Sequence, residues 1–179
     1  MKYTGERVYI RSFELTDAEE KLAMLIKNKD FFQLYSPTKN EDYYTLEVQK
    51  TGIQNLIKEQ EEGQRYGFGI FSKDTDALIG SVTLSWIARG ALQSCYIGYE
   101  LDQAQNGKGY MTEAVKLTVD FAFQELQLHR IEAGVMPRNI GSIRVLEKAG
   151  FHKEGIAIEN VKINGKWEDH QILAIINRQ

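Results

Sequence analysis

One stretch of this chain leaves few folds open to it. Residues 92–101 alternate apolar and polar side chains as a strand does, then run into the polar loop 102–106. The loop turns at Gly107 and Gly109 and opens an amphipathic helix with Ala114, Leu117, Phe121 and Leu128 near i, i+3, i+7 spacing. A second strand-like run, His129 to Met136, follows. Two strands joined through a helix need a crossover, so these two should lie parallel within a mixed sheet. The junction also predicts chemistry. A helix N-terminus presents free backbone N–H groups and the positive end of its dipole. Glycines let that backbone approach a phosphate with no Cβ in the way.

The remaining elements are read around this unit. Arg7 to Phe13 alternates and reads as a first strand. Thr16-Asp17-Ala18-Glu19 has the form of a capping box and predicts a helix to about Asn28. After an irregular stretch broken by Pro37, a second helix is expected from about Glu41 to Glu62, with Gly52 inside it and Ile53, Leu56 and Ile57 on one face. Strands are expected at Tyr66–Ser72 and Ala77–Ile87, before the one at 92–101. A helix from Asn139 to Ala149 ends at Gly150 as its cap, and Asn164-Gly165 is a type I′ hairpin signal joining two last strands. The order is β-α-α-β-β-β-α-β-α-β-β, an α/β (α+β) chain with seven strands and about four helices. No linker or repeat interrupts it, so residues 1–179 are read as a single domain.

Composition excludes several functions. The 179 residues are 42% hydrophobic and carry a net charge of −3, which argues against non-specific nucleic-acid binding. Met1 to Arg7 has no apolar run and the longest late one, Ile172–Ile176, is too short to span a bilayer, so neither a signal peptide nor a membrane partner is expected. Cys95 is the only cysteine, which fits a reducing compartment, and a cytoplasmic location is expected. His129, His152 and His170 are scattered without metal-ligand spacing, so no metal is expected.

The glycine loop is neither of the two commonest phosphate loops. A P-loop needs G-x-x-x-x-G-K-[ST], but Lys108 is followed by Gly109. A Rossmann turn needs a third glycine where Thr112 stands. The segment Asn106-Gly107-Lys108-Gly109-Tyr110-Met111-Thr112-Glu113-Ala114 resembles instead the acyl-CoA pyrophosphate loop of the GCN5-related N-acetyltransferase (GNAT) superfamily. His129-Arg130-Ile131-Glu132-Ala133, followed by Asn139-x-x-Ser142-x-x-Val145-Leu146-Glu147-Lys148-Ala149-Gly150-Phe151, is similar to the second half of that signature. Gly165-Lys166-Trp167-x-Asp169-His170 is similar to the RimJ/RimL branch, which acetylates ribosomal-protein N-termini. The resemblance spans essentially the whole chain. It departs at Asn106, where Gln or Arg is usual, at Met111, where Gly or Ala is usual, and at Leu146, where many relatives carry an acid tyrosine.

The resemblance implies a mixed, mostly antiparallel GNAT sheet and transfer of acetyl from acetyl-CoA to a primary amine. The acceptor it implies is a protein N-terminus. A small amine, polyamine or antibiotic, or a non-catalytic acyl-CoA-binding role, are the alternatives. A homodimer or higher homo-oligomer would fit the branch. Cofactor contacts are expected from Asn106, Gly107, Lys108, Gly109, Tyr110, Met111 and Thr112, from the backbone near Tyr99 and Leu101, and from Asn139 and Lys148. Lys108 and Lys148 read equally as exposed helix-end lysines. Ser142 is the candidate for hydrogen-bonding the leaving thiolate, or merely the third residue of its helix. Glu100 is the candidate base, or a solvated strand-end carboxylate. Asp169 and His170 form a second acid/base candidate. Phe31, Phe32, Tyr35, Tyr43 and Tyr44 either wall the acceptor site or pack as core.

Overall fold

Alternation within the first predicted strand understates its burial, because both of its faces are covered. Val8, Tyr9 and Ile10 are all buried in β2 (Val8–Ser12). Val8 and Ile10 belong to one core and Tyr9 to another. The computed structural model describes residues 1–178. One eight-stranded sheet runs through it in the order β1-β2-β3-β4-β5-β6-β8-β7. Its other strands are β1 (Lys2–Thr4), β3 (Tyr66–Ser72), β4 (Leu78–Ala88), β5 (Ser94–Leu101), β6 (Arg130–Val135), β7 (His152–Ile163) and β8 (Lys166–Ile176). Every pairing is antiparallel except β5 with β6, which is parallel as the crossover requires.

The sequence reading expected seven strands and about four helices. The added strand, β1, is three residues long, too short to show alternation, and pairs Lys2–Thr4 with Tyr9–Arg11. Among the described residues five α-helices form: α1 (Ala18–Lys27), α2 (Lys29–Gln33), α3 (Leu46–Glu61), α4 (Tyr110–Gln124) and α5 (Ile140–Lys148). The short α2 falls just before the stretch read as irregular and extends into it. The helix expected from Glu41 begins five residues later. Residues 41–44 form a separate 3-10 turn, and Thr45 caps α3 by accepting from Val48 N at 3.4 Å. Gly52 does not break α3, and Ile53 and Leu56 are buried while Ile57 is exposed. The capping interaction before α1 also lies earlier than expected. Asp17 accepts from Glu14 N at 2.7 Å and is clasped by both terminal nitrogens of Arg11, each at 2.7 Å. Burial pushes the Asp17 carboxyl upward, but the Arg11 and Glu14 hydrogen bonds outweigh it and hold the group below the ordinary range.

Two cores sandwich the sheet. The larger collects Phe68, Ile70, Leu84, Ile131 and Leu173 under α4 and α5, where Val115, Phe121 and Leu146 point inward. The smaller lies under α1 and α3, around Phe13, Leu25, Ile53 and Phe71. The Asn164-Gly165 turn forms as read, with φ of 50° and 82° at the two residues. Its tip reaches across the molecule, where Asn164 Nδ2 donates to Gln33 O at 2.7 Å and Asn164 Oδ1 accepts from Thr38.

What positions the site is a gap in the middle of the sheet. β5 and β6 pair only from Ser94↔Arg130 to Tyr96↔Glu132. Beyond that, β5 stays with β4 as far as Leu101↔Gly80, while β6 stays with β8 as far as Val135↔Gln171. The strands splay, and Pro137 follows β6 where a further ladder donor would be needed.

Candidate active site

The loop leaving β5 is held from both sides. At its start Asp102 accepts from Lys27 Nζ at 2.7 Å and from Ala104 N at 3.1 Å, and Asn28 Oδ1 accepts from Gln103 N at 2.9 Å. These contacts tie the loop to the end of α1. At its end Gly107 and Gly109 have φ of 77° and 79°, the left-handed region that side chains disfavour. Gly109 caps α4, and a Cβ there would meet Arg7 Nη2 at 2.8 Å, whereas one at Gly107 would face open space. Arg7 Nη1 donates to Lys108 O at 2.5 Å. The Glu113 carboxylate turns away from the loop and accepts from Arg7 N at 2.9 Å and Val8 N at 3.2 Å. The first turn of α4 therefore offers its free N–H groups to the groove, while its one acidic side chain is spent on β2.

A groove of about 560 Å³ runs from this loop through the splay to the aromatic segment. Of the expected cofactor residues, Asn106, Gly107, Gly109, Tyr110, Met111 and Thr112 line it, as do Tyr99, Leu101, Asn139 and Lys148. Lys108 does not: its ammonium bonds Gln105 Oε1 at 3.0 Å and its carbonyl is taken by Arg7. The bulk of Met111 is 5% exposed and packs into the larger core, so this departure from the family pattern costs the groove little room. Leu146 is fully buried in the same core and offers no group to the groove.

Tyr99 and Glu100 are neighbours in sequence on opposite faces of β5. Tyr99 points to α5, its hydroxyl 2.8 Å from Ser142 Oγ and 3.2 Å from Ser142 O. Burial pushes the Tyr99 phenol well above its ordinary range, against the opposing pull of the Ser142 hydrogen bond. Asn139 caps α5 by accepting from Ser142 N at 3.3 Å and also lines the groove, so it combines both readings.

Glu100 points to α1. It is not a freely solvated carboxylate: burial raises its pKa, opposed by Lys21 and by Ser81, whose Oγ donates at 3.4 Å. Burial in turn lowers the pKa of Lys21, partly offset by the Glu100 charge. Glu100 lines both the groove and a smaller cavity of about 30 Å³ walled by Leu25, Phe32, Tyr43 and Tyr44. Burial, then the Glu100 charge, push the Tyr43 phenol up to about 12. The aromatic segment thus serves two ends. Phe31, Phe32 and Tyr35 line the groove, while Phe32, Tyr43 and Tyr44 also pack on the smaller core.

Asp169 and His170 are not brought to the groove. Asp169 accepts from Glu159 N at 2.8 Å within a bulge of β7, and the buried His170 bonds Asn160 Oδ1 at 2.8 Å. Among the described residues no group of His, Cys, Asp or Glu comes together as a metal site, and no helix is long and apolar enough to cross a membrane.

Three residues of the site stand outside the contacts expected from sequence. Tyr99 enters it through its hydroxyl as well as its backbone, and nothing local signals that α5 approaches it. Arg7 lies a hundred residues from the loop it holds. Arg144 lines the groove and had a usable signal, since Gly141, Arg144 and Lys148 recur on one face of α5.

Comparison with known proteins agrees with this geometry. The acetyltransferase (GNAT) domain model matches residues 7–152. The chain is 61% identical to the Probable N-acetyltransferase YjcK of Bacillus subtilis (strain 168), over 97% of this chain and 96% of that protein. The ribosomal-protein-S5-alanine acetyltransferase of Vibrio fischeri superposes with a TM-score of 0.95 at 32% identity, covering 100% of this chain and 98% of that one. Mycobacterium smegmatis RimJ, solved with CoA-disulfide, superposes with a TM-score of 0.90 at 28% identity, covering 94% and 81%. A glycine-turned helix N-terminus beside a splayed strand pair thus stands in a chain with these relatives: the protein belongs to the GNAT family and is an acetyl-CoA-dependent N-acetyltransferase.

Proposed function

We propose that this acetyltransferase acts on the α-amino group of a protein N-terminus whose first residue is small, and that a ribosomal protein is the acceptor. The observation that carries this reading is the cavity beside Glu100. It is small, about 30 Å³, and it shares Phe32, Ser36 and Glu100 with the groove where the thioester would lie. An alanine or serine side chain would enter it with the amine held at Glu100. The similarity to an S5-alanine acetyltransferase supports the same acceptor class.

The chemistry fits a modest base. An α-amine titrates near roughly 7.7–8.0 and a lysine near about 10.4, so at neutral pH far more of the former is already able to attack. Glu100 then needs only to take the proton shed as the C–N bond forms, and its raised pKa brings it closer to the working pH. The pyrophosphate of acetyl-CoA would rest on the N–H groups of Tyr110 to Thr112, with Lys148 and Arg144 alongside. The pantetheine arm would follow the unpaired edge of β5 into the splay.

Peptides beginning Ala, Ser, Leu and Lys, together with spermidine, should be compared at fixed acetyl-CoA by thiol release. The expected order places Ala and Ser first, with Leu slower by at least tenfold. Turnover of spermidine with no peptide acetylated would overturn the acceptor assignment. Tight CoA binding with no acceptor turned over would reduce the protein to an acyl-CoA-binding module.

A further inference from the structure

We propose that Tyr99 is a positioning residue for the leaving-group side of the reaction, acting through Ser142. The inference rests on the acyl-transfer reading but not on which amine is the acceptor. The Tyr99 hydroxyl has one proton and two acceptors in reach, Ser142 Oγ at 2.8 Å and Ser142 O at 3.2 Å. When Tyr99 donates to Oγ, the serine hydroxyl has an acceptor role filled and must send its own proton elsewhere. One direction open to it is the groove, which both residues line. Without that donor, a serine inside a first helical turn falls back on a nearby main-chain carbonyl, here that of Asn139 or the preceding turn, and its proton is lost to the groove.

Two further observations point the same way. Burial keeps the phenol protonated far above its ordinary range, so Tyr99 is a donor at every working pH and is a poor source of the transferred proton. One turn along α5 stands Leu146, wholly buried and apolar, so that helix supplies no second hydroxyl on this side. The proton count closes without Tyr99 ionising. The amine nitrogen forms the bond to the acetyl carbon and sheds a proton to Glu100, which passes it to solvent. The C–S bond breaks with its electron pair going to sulfur, and sulfur takes one proton from solvent in the groove to end as the thiol. Ser142 donates a hydrogen bond to sulfur while the charge is there, and Ser142 and Tyr99 both end with the protons they began with.

The test is Tyr99→Phe, which keeps the ring and removes the hydroxyl, beside Ser142→Ala and the double variant. Bound CoA is titrated by thiolate absorbance, a reading that needs no acceptor. We expect the bound thiol to titrate roughly one unit higher in each single variant than in wild type, and no higher again in the double. With a peptide acceptor, kcat should fall about tenfold in Tyr99→Phe while the KM for acetyl-CoA stays within about twofold. A purely structural hydroxyl would lower Tm and leave the thiol titration alone. A wild-type titration in Tyr99→Phe, or effects of the two substitutions that multiply in the double variant, would overturn the proposal. A shifted titration with no peptide acetylated would leave the proposal standing and remove the acceptor assignment.

Discussion

The two faces of β5 at its splayed end are built from different materials. On the Tyr99 face the groove is offered mostly backbone: two left-handed glycines, the N-terminus of α4 and an unpaired strand edge. On the Glu100 face it is offered side chains, namely a part-buried carboxylate, Lys21, Ser81 and the aromatic wall of residues 31–44. Backbone recognition tolerates substitution so long as the path is kept. Met111 departs from the family pattern with its side chain buried in the larger core, and Asn106 departs from it at the groove's rim. Side-chain recognition does not tolerate substitution, so on the proposed function the Glu100 face is where one acceptor would be exchanged for another.

Substitutions should separate these faces in size and in kind. The largest effect is expected from Glu100→Gln, which should lower kcat about 100-fold with the KM for acetyl-CoA unchanged. The pH dependences of rate and stability should then run in opposite senses. Wild-type activity should rise as pH climbs through the raised pKa of Glu100, and that limb should vanish in the variant. The folded pKa of Glu100 lies above its unfolded value, so its contribution to stability is complete below the unfolded pKa. It is lost as pH rises through the folded pKa. Thermal melts at acidic and mildly alkaline pH should therefore show Glu100→Gln gaining on wild type as pH rises. A variant that loses ground instead would mean Glu100 is held ionised by its neighbours.

Gly109→Val comes next, and on the other face. A left-handed valine is strained by about 1–3 kcal/mol, so calorimetry should show CoA binding weakened on the order of 30-fold, with kcat at saturation largely kept. Unchanged binding would take the loop out of the cofactor site. Arg7→Ala removes the hydrogen bond to Lys108 O and should raise the KM for acetyl-CoA about fivefold, with kcat intact. A fall in kcat alone would place Arg7 in some other role. Smallest is Asn139→Ala, which strips the cap of α5. It should cost about 1 kcal/mol and lower Tm by about 2–4 °C, read by calorimetry.

Much of the architecture was legible because its signals are local. The Asn164-Gly165 turn, the Asn139 cap and the glycines before α4 each fix backbone within a few residues. The crossover from β5 to β6 follows from chain connectivity alone. What escaped depends on contact across the fold. β1 forms because β2 offers it an edge, not because three residues prefer to be extended. The start of α3 moved to Leu46 because Thr45 caps it while Glu41–Tyr44 tighten into a turn. In the site, every residue of the expected loop from Asn106 to Thr112 lines the groove except Lys108. The meeting of Tyr99 with Ser142, 43 residues later, was not. Nor was the withdrawal of Asp169 and His170 into the β7 bulge, which depends on Glu159 and Asn160 turning back on β8.

The consecutive placement of Tyr99 and Glu100 constrains how this chain can change its length. Side chains alternate along a strand, so deleting or inserting one residue between Cys95 and Leu101 would exchange the two faces. The phenol would be carried toward α1 and the carboxylate toward α5. The hairpin before β5 is under no such rule. Its register already slips between Ser85 and Ala88, where Trp86 takes a φ of 54° and stands 82% exposed. Length variation in descendants of this sequence should therefore collect between residues 86 and 93, upstream of a strand whose parity it leaves alone.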